Sequence, residues 1–143
     1  MRYLVVAHQT ATSGALLDKL QDLAKDDDEA VFTLLVPATP RGQGLTWTEG
    51  GSVAQAQGVA SVASRRFQSA GLRMAGTITG DASPLQAISD ALGSVVEFDA
   101  IVISTLPPGV SRWLKMDVHA RARRQFGLPV IFVVASGAPL PAT

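Results

Sequence analysis

The groups best able to do chemistry are concentrated in one stretch, STLPPGVSRWLKMD at 104–117. Ser104, Thr105 and Ser111 carry hydroxyls, Gly109, Val110 and Ser111 present backbone amides, and Arg112 and Lys115 carry positive charge. Hydroxyls, amides and a guanidinium close together suit an anion, because a guanidinium fork matches a carboxylate or phosphate in two hydrogen bonds. Two features work against a phosphate. Pro107 and Pro108 have no N–H to donate, and Asp117, where the next helix is expected to begin, would turn its own carboxylate onto that helix's free amides. Like charges at contact distance repel by about 1 kcal/mol in water and about 4 kcal/mol at an effective dielectric near 20. That weakens anion binding about tenfold or more unless Arg112 or Lys115 offsets it. The structural alternative is a loop in which Arg112 pairs with Asp117 while Trp113 packs on the domain or a partner.

Other chemistries find less support. His8 and His119 are the only histidines and there is no cysteine, so a zinc site would need carboxylates whose spacing is not evident. No GxSxG elbow frames a nucleophilic serine, and neither a Walker A loop nor GxGxxG is present. No residue is therefore assigned a catalytic role, and no metal is expected. Asp26, Asp27, Asp28 and Glu29 form an acidic run at the negative end of an expected helix, which reads as a solvated turn.

These groups need a scaffold, and the chain alternates two patterns that supply one. Short apolar, β-branched-rich runs at 3–7, 30–36, 72–79, 98–105 and 129–135 predict strands covered on both faces. Between them, Leu16, Leu17, Leu20 and Leu23 recur at helical spacing after Ser13, a good cap. A second helix runs from Ser52, whose spacing to Gln55 is that of a capping box, to about residue 70. Its Ala56, Ala60 and Ala63 allow close approach, with Val59, Val62 and Phe67 filling the interface. Ser83 and Pro84 open a third helix with Leu85, Ile88, Leu92 and Val95 inward. A fourth covers about 117–127. Residues 38–51, with Trp47 in the middle, form a long Gly/Thr/Pro loop, either a lid or an ordered surface segment. Alternating strands and helices imply parallel strands, right-handed crossovers and helices on both faces, an α/β Rossmann-like three-layer sandwich.

Composition sets the outer limits. The chain has 143 residues, 47% of them hydrophobic, enough for one domain with a real core, expected over 1–136 with a loose tail at 137–143. Twelve basic and twelve acidic residues cancel, so no overall field draws it to nucleic acid or a membrane surface. Charge is nonetheless uneven: acids crowd 18–29, while Arg112, Lys115, Arg121, Arg123 and Arg124 face only Asp117 in the later segment. The opening apolar run is too short for a signal sequence or a membrane span. Lack of cysteine fits a reducing compartment, so a cytoplasmic protein is expected.

From residue 2 to about 134 the chain resembles the universal stress protein family, of the adenine-nucleotide α-hydrolase-like class. The first strand with its polar loop, the turn at Gly80, Asp81, Pro84 and Ile88, and the span from DAIVIST to GLPVIFVV carry the resemblance. It implies a five-stranded parallel sheet in the order 3-2-1-4-5, frequently a homodimer paired through the last strand, and a role in stress response. In members that bind ATP, an Asp follows the first strand, a backbone contact ends the second, and a glycine-rich motif follows the fourth. Here His8 stands at the Asp position and Val36 at the second-strand position. Ser104 replaces the first glycine, Pro107 lies near the second with Gly109 close by, and Met116 and Asp117 occupy the closing positions.

The resulting expectation is a non-catalytic universal-stress-like domain with a diverged nucleotide pocket and weak or absent ATP binding, acting by dimerisation or partner association. The alternative is a binder of adenine nucleotides (ATP or AMP) or phosphate metabolites, with slow hydrolysis. On that reading Arg112 and Lys115 hold a small anionic ligand.

Overall fold

The computed structural model describes residues 1–37, 53–80, 83–93, 97–105 and 117–134. In chain order the elements are β1 (Arg2–Val6), a 3-10 turn (Gln9–Thr12), α1 (Gly14–Asp26), β2 (Val31–Pro37), α2 (Val53–Ser69), β3 (Met74–Gly80), α3 (Pro84–Leu92), β4 (Ala100–Thr105), α4 (Val118–Phe126) and β5 (Val130–Val134). The five strands form one parallel sheet in the order β3-β2-β1-β4-β5. This is the order and layering expected. It follows from the apolar runs, which can only be buried on both faces if crossover helices cover each side.

Period-two alternation along the strands sorts the core into two layers. Tyr3, Val5 and Ala7 join Phe32, Leu34 and Val36 beneath α1 and α2, while Leu4 and Val6 join Leu35, Ile101 and Ile103 beneath α3 and α4. On α1, Leu16 and Leu20 are buried and Leu17 and Leu23 flank them. Ser13 caps this helix as expected, its hydroxyl accepting from the Leu16 amide at 3.2 Å. On α2, Ala56, Ala60, Ala63 and Phe67 make the buried stripe. Val62, expected in that interface, is instead 57% exposed. It sits about a third of a turn away from the stripe, which 3.6 residues per turn makes inevitable.

Helix ends account for other differences. The third strand was expected from 72 but begins at Met74, because α2 closes in a Schellman motif. Gly71 takes φ +91°, its N–H bonds the Gln68 carbonyl at 3.0 Å, and the Leu72 N–H reaches the Phe67 carbonyl at 3.0 Å. In α3 the buried residues are Pro84, Ala87, Ile88 and Ala91, so Leu85 and Leu92 flank the inner face rather than forming it. β2 runs one residue past the apolar stretch 30–36, to Pro37 opposite Gly80, where a proline forfeits only its own donor. The acidic turn is exposed at Asp28 and Glu29, while the Asp27 carboxylate accepts from the Glu29 amide at 3.0 Å. Among the described residues no helix is long and apolar enough to cross a membrane, and no group of three or more His, Cys, Asp or Glu is placed to hold a metal.

Candidate functional site at the carboxyl ends of β1 and β4

In an open parallel sheet the ligand crevice lies beyond the carboxyl ends of the strands, where the strand order reverses. Here that place is between β1 and β4. Val6 is level with Leu35 of β2 and Ile103 of β4, and the Ala7 amide continues the pairing by donating to the Leu35 carbonyl at 3.2 Å. Carried forward, the same register sets Ala7 level with Val36 and Ser104, and His8 level with Pro37 on one side and Thr105 on the other. The structure therefore brings together four of the residues singled out in the sequence: His8, Val36, Ser104 and Thr105.

All four are buried, with His8 4% exposed, Thr105 1% exposed, and Val36 and Ser104 fully enclosed. The polar ones differ in their partners. Ser104 donates its hydroxyl hydrogen to the Thr10 Oγ1 at 2.7 Å, so both groups are satisfied. Both ring nitrogens of His8, and the Thr105 Oγ1, have no hydrogen-bond partner among the described residues. A buried polar group left without a partner costs about 1–3 kcal/mol. Burial also pushes the His8 imidazole below its ordinary pKa of 6.5, so at neutral pH the ring is uncharged. It then offers one donor and one acceptor, and the Thr105 hydroxyl can serve either way. A polar, uncharged group brought to these atoms would meet complementary donors and acceptors.

Thr10 was read from the sequence only as part of a polar loop. Its role as the partner of Ser104 depends on the 3-10 turn folding back over the end of β4, and no local signal announces that.

Asp117 departs from expectation. It does precede α4, but its backbone is left-handed, at φ 55° and ψ 41°, and its side chain makes no capping hydrogen bond. A side-chain cap requires the preceding residue to be extended, so that its oxygen can swing over the first amides. The left-handed turn points the carboxylate elsewhere, and Oδ1 lies 3.7 Å from the His119 Nε2. The His119 ring in turn stacks on Phe132 of β5, with centroids 4.3 Å apart and planes 12° from parallel. The carboxylate stands largely exposed beside His119, off the first amides of α4, and the expected self-capping of the helix is corrected. Gly109, Val110, Ser111, Arg112 and Lys115 lie outside the described residues, as do Trp47, Val95, Pro107, Pro108, Trp113, Met116 and Ser52, on which the expected capping box with Gln55 rests.

No family model matches the chain, and no curated protein matches it. Among solved structures it is similar to that of a universal stress protein from Archaeoglobus fulgidus, with a TM-score of 0.60, 20% sequence identity and 93% of each chain covered. That likeness spans the whole domain and establishes a universal-stress-protein-like fold.

Proposed function

We propose that this chain is a non-catalytic binding domain whose pocket, at the carboxyl ends of β1 and β4, holds the uncharged, hydrogen-bonding ring of a nucleoside or nucleotide and grips phosphate weakly. The observation that carries this reading is the buried, unpartnered set formed by the two His8 nitrogens and the Thr105 hydroxyl. A ring edge that presents both a donor and an acceptor complements a neutral imidazole and a hydroxyl. Weak phosphate binding is supported by the sequence that follows β4, where Pro107 and Pro108 have no N–H to donate.

Calorimetry with adenosine, AMP, ATP and inorganic phosphate, with and without magnesium, tests it. Adenosine and ATP are expected to bind within about threefold of each other, a difference under about 0.7 kcal/mol. His8→Leu is expected to abolish both. No heat with any of the four compounds sinks the proposal.

One observation favours a second reading. Because the Asp117 carboxylate is not turned onto the first amides of α4, that helix start is not occupied by the protein's own anion. On this reading Arg112 and Lys115 hold a phosphate there, and ATP binds about tenfold or more tighter than adenosine. Arg112→Ala then erases the difference.

Association is expected through β5. It is an edge strand, with no further strand paired on its outer side among the described residues, the kind of edge another chain can extend, and Phe132 stands partly exposed on it. Pairing of two such edges about a two-fold axis closes at a dimer. A monomer in sedimentation at high concentration removes this part of the reading.

A further inference from the structure

Charge in this protein is segregated between two helices on opposite faces of the sheet, α1 and α4, while their layer neighbours carry little: Arg65 and Arg66 on α2 and Asp90 on α3. On α1 and the turn after it, Asp18, Asp22, Asp26, Asp28 and Glu29 are all exposed, and the first three fall four residues apart, on one side of the helix. Over 18–29 acids outnumber lysines six to two, and the one carboxylate there held in an ion pair among the described residues is Asp27, on the terminal ammonium at 2.7 Å. Helix α4 is the reverse. Arg121, Arg123 and Arg124 are exposed, no acid lies within Val118–Phe126, and none of the three makes an ion pair among the described residues. Arg121, Arg124 and Gln125 share a helix face and, with Leu85 of α3, wall an open groove of about 410 Å³.

The two patches cannot meet within one molecule. Leu16 and Leu20 root α1 in the core layer on one face of the sheet, while Val118 and Ala122 root α4 in the layer on the other. Two copies face no such barrier, and a net charge of zero means no long-range repulsion opposes their approach. We propose that the arginine groove between α3 and α4 docks the acidic end of α1 from a second copy of this chain. Donor and acceptor patches are different surfaces on opposite faces, so the contact is heterologous and each copy still has one patch free. The assembly therefore grows past two, unlike pairing through β5. It involves none of the residues at the His8 pocket and stands or falls separately from the proposed function.

The test is sedimentation equilibrium over a concentration series at about 0.01 M and about 0.15 M salt, between which the screening length falls from about 30 Å to about 8 Å. At low salt the weight-average mass is expected to rise beyond that of a dimer, and the association constant to drop at least about tenfold at the higher salt. Arg121→Glu with Arg124→Glu is expected to stop the growth, and so is Asp22→Lys with Asp26→Lys. These four side chains are exposed and make no ion pair among the described residues, so the fold should tolerate the changes. Mixing the two variants restores complementarity, and mixed assemblies are expected to reappear. A mass that never exceeds the dimer at low salt overturns the proposal, leaving the arginines to another acidic partner or to inorganic phosphate. Growth that survives both double substitutions overturns it equally.

Discussion

Ser104 and Thr10 share a hydrogen bond of 2.7 Å between hydroxyls 94 residues apart, which ties the carboxyl end of β4 to the 3-10 turn after β1. Both residues are buried, and the bond leaves neither oxygen without a partner. Ser104→Ala strands the Thr10 hydroxyl and is expected to destabilise by about 1–3 kcal/mol. Adding Thr10→Val removes the stranded group, so the double variant should lose less than the two single changes summed. Urea unfolding midpoints at unchanged slope measure this. Strict additivity would show that the two hydroxyls are not coupled.

Gly80 and Ala87 hold β3 and α3 at close range. A Cβ built on Gly80 would lie 2.8 Å from the Ala87 Cβ and 3.2 Å from the Leu35 Cδ1. Gly80→Ala must therefore push the helix off the strand, at about 1–3 kcal/mol. Ala87→Gly opens that contact, although a glycine inside a helix itself costs about 1 kcal/mol. In combination the two are expected to show a favourable coupling in thermal or urea unfolding, and no coupling would argue against a steric cause.

His8 makes stability depend on pH in a definite direction. Burial lowers its pKa in the fold, whereas the unfolded chain keeps the ordinary 6.5. Below about 6.5 the unfolded state binds the extra proton first, so stability falls as pH drops from there toward the folded value, and is fully present above it. Each pH unit in that window removes at most about 1.4 kcal/mol. His8→Gln should flatten the acid side of the stability curve. An unchanged acid limb in the variant would mean that the ring is not held neutral by the fold.

Asp117 is expected to behave as a left-handed turn residue. A helix cap replaced by alanine costs about 0.5–2 kcal/mol, but here no capping bond exists to lose. Glycine accepts φ 55° without a Cβ penalty, so Asp117→Gly should be neutral or stabilising by up to about 1 kcal/mol. Calorimetric melting of the two proteins decides the matter, and a lowered midpoint would restore the capping role. On the binding side, Asp117→Ser should leave ATP affinity within about threefold, since the carboxylate is not on the amides.

The layout of strands and helices was legible in the residues alone, because both patterns are local. β-branched apolar runs such as those of β1, β2 and β4, and stripes such as Leu16 with Leu20 or Ala60 with Ala63, report their own burial through spacing along the chain. The parallel sheet with two helical layers follows from their alternation. His8, Ser104 and Thr105 were also identifiable as polar residues at strand ends. What needed the folded chain was everything that depends on which segments become neighbours: the Ser104–Thr10 bond, the missing partners of His8 and Thr105, and the contact of Gly80 with Ala87. The turn of Asp117 into left-handed space, which took its carboxylate to His119, belongs there too. Spacing along one segment carries no information about the register between two, and a hydrogen bond or a void is a property of that register.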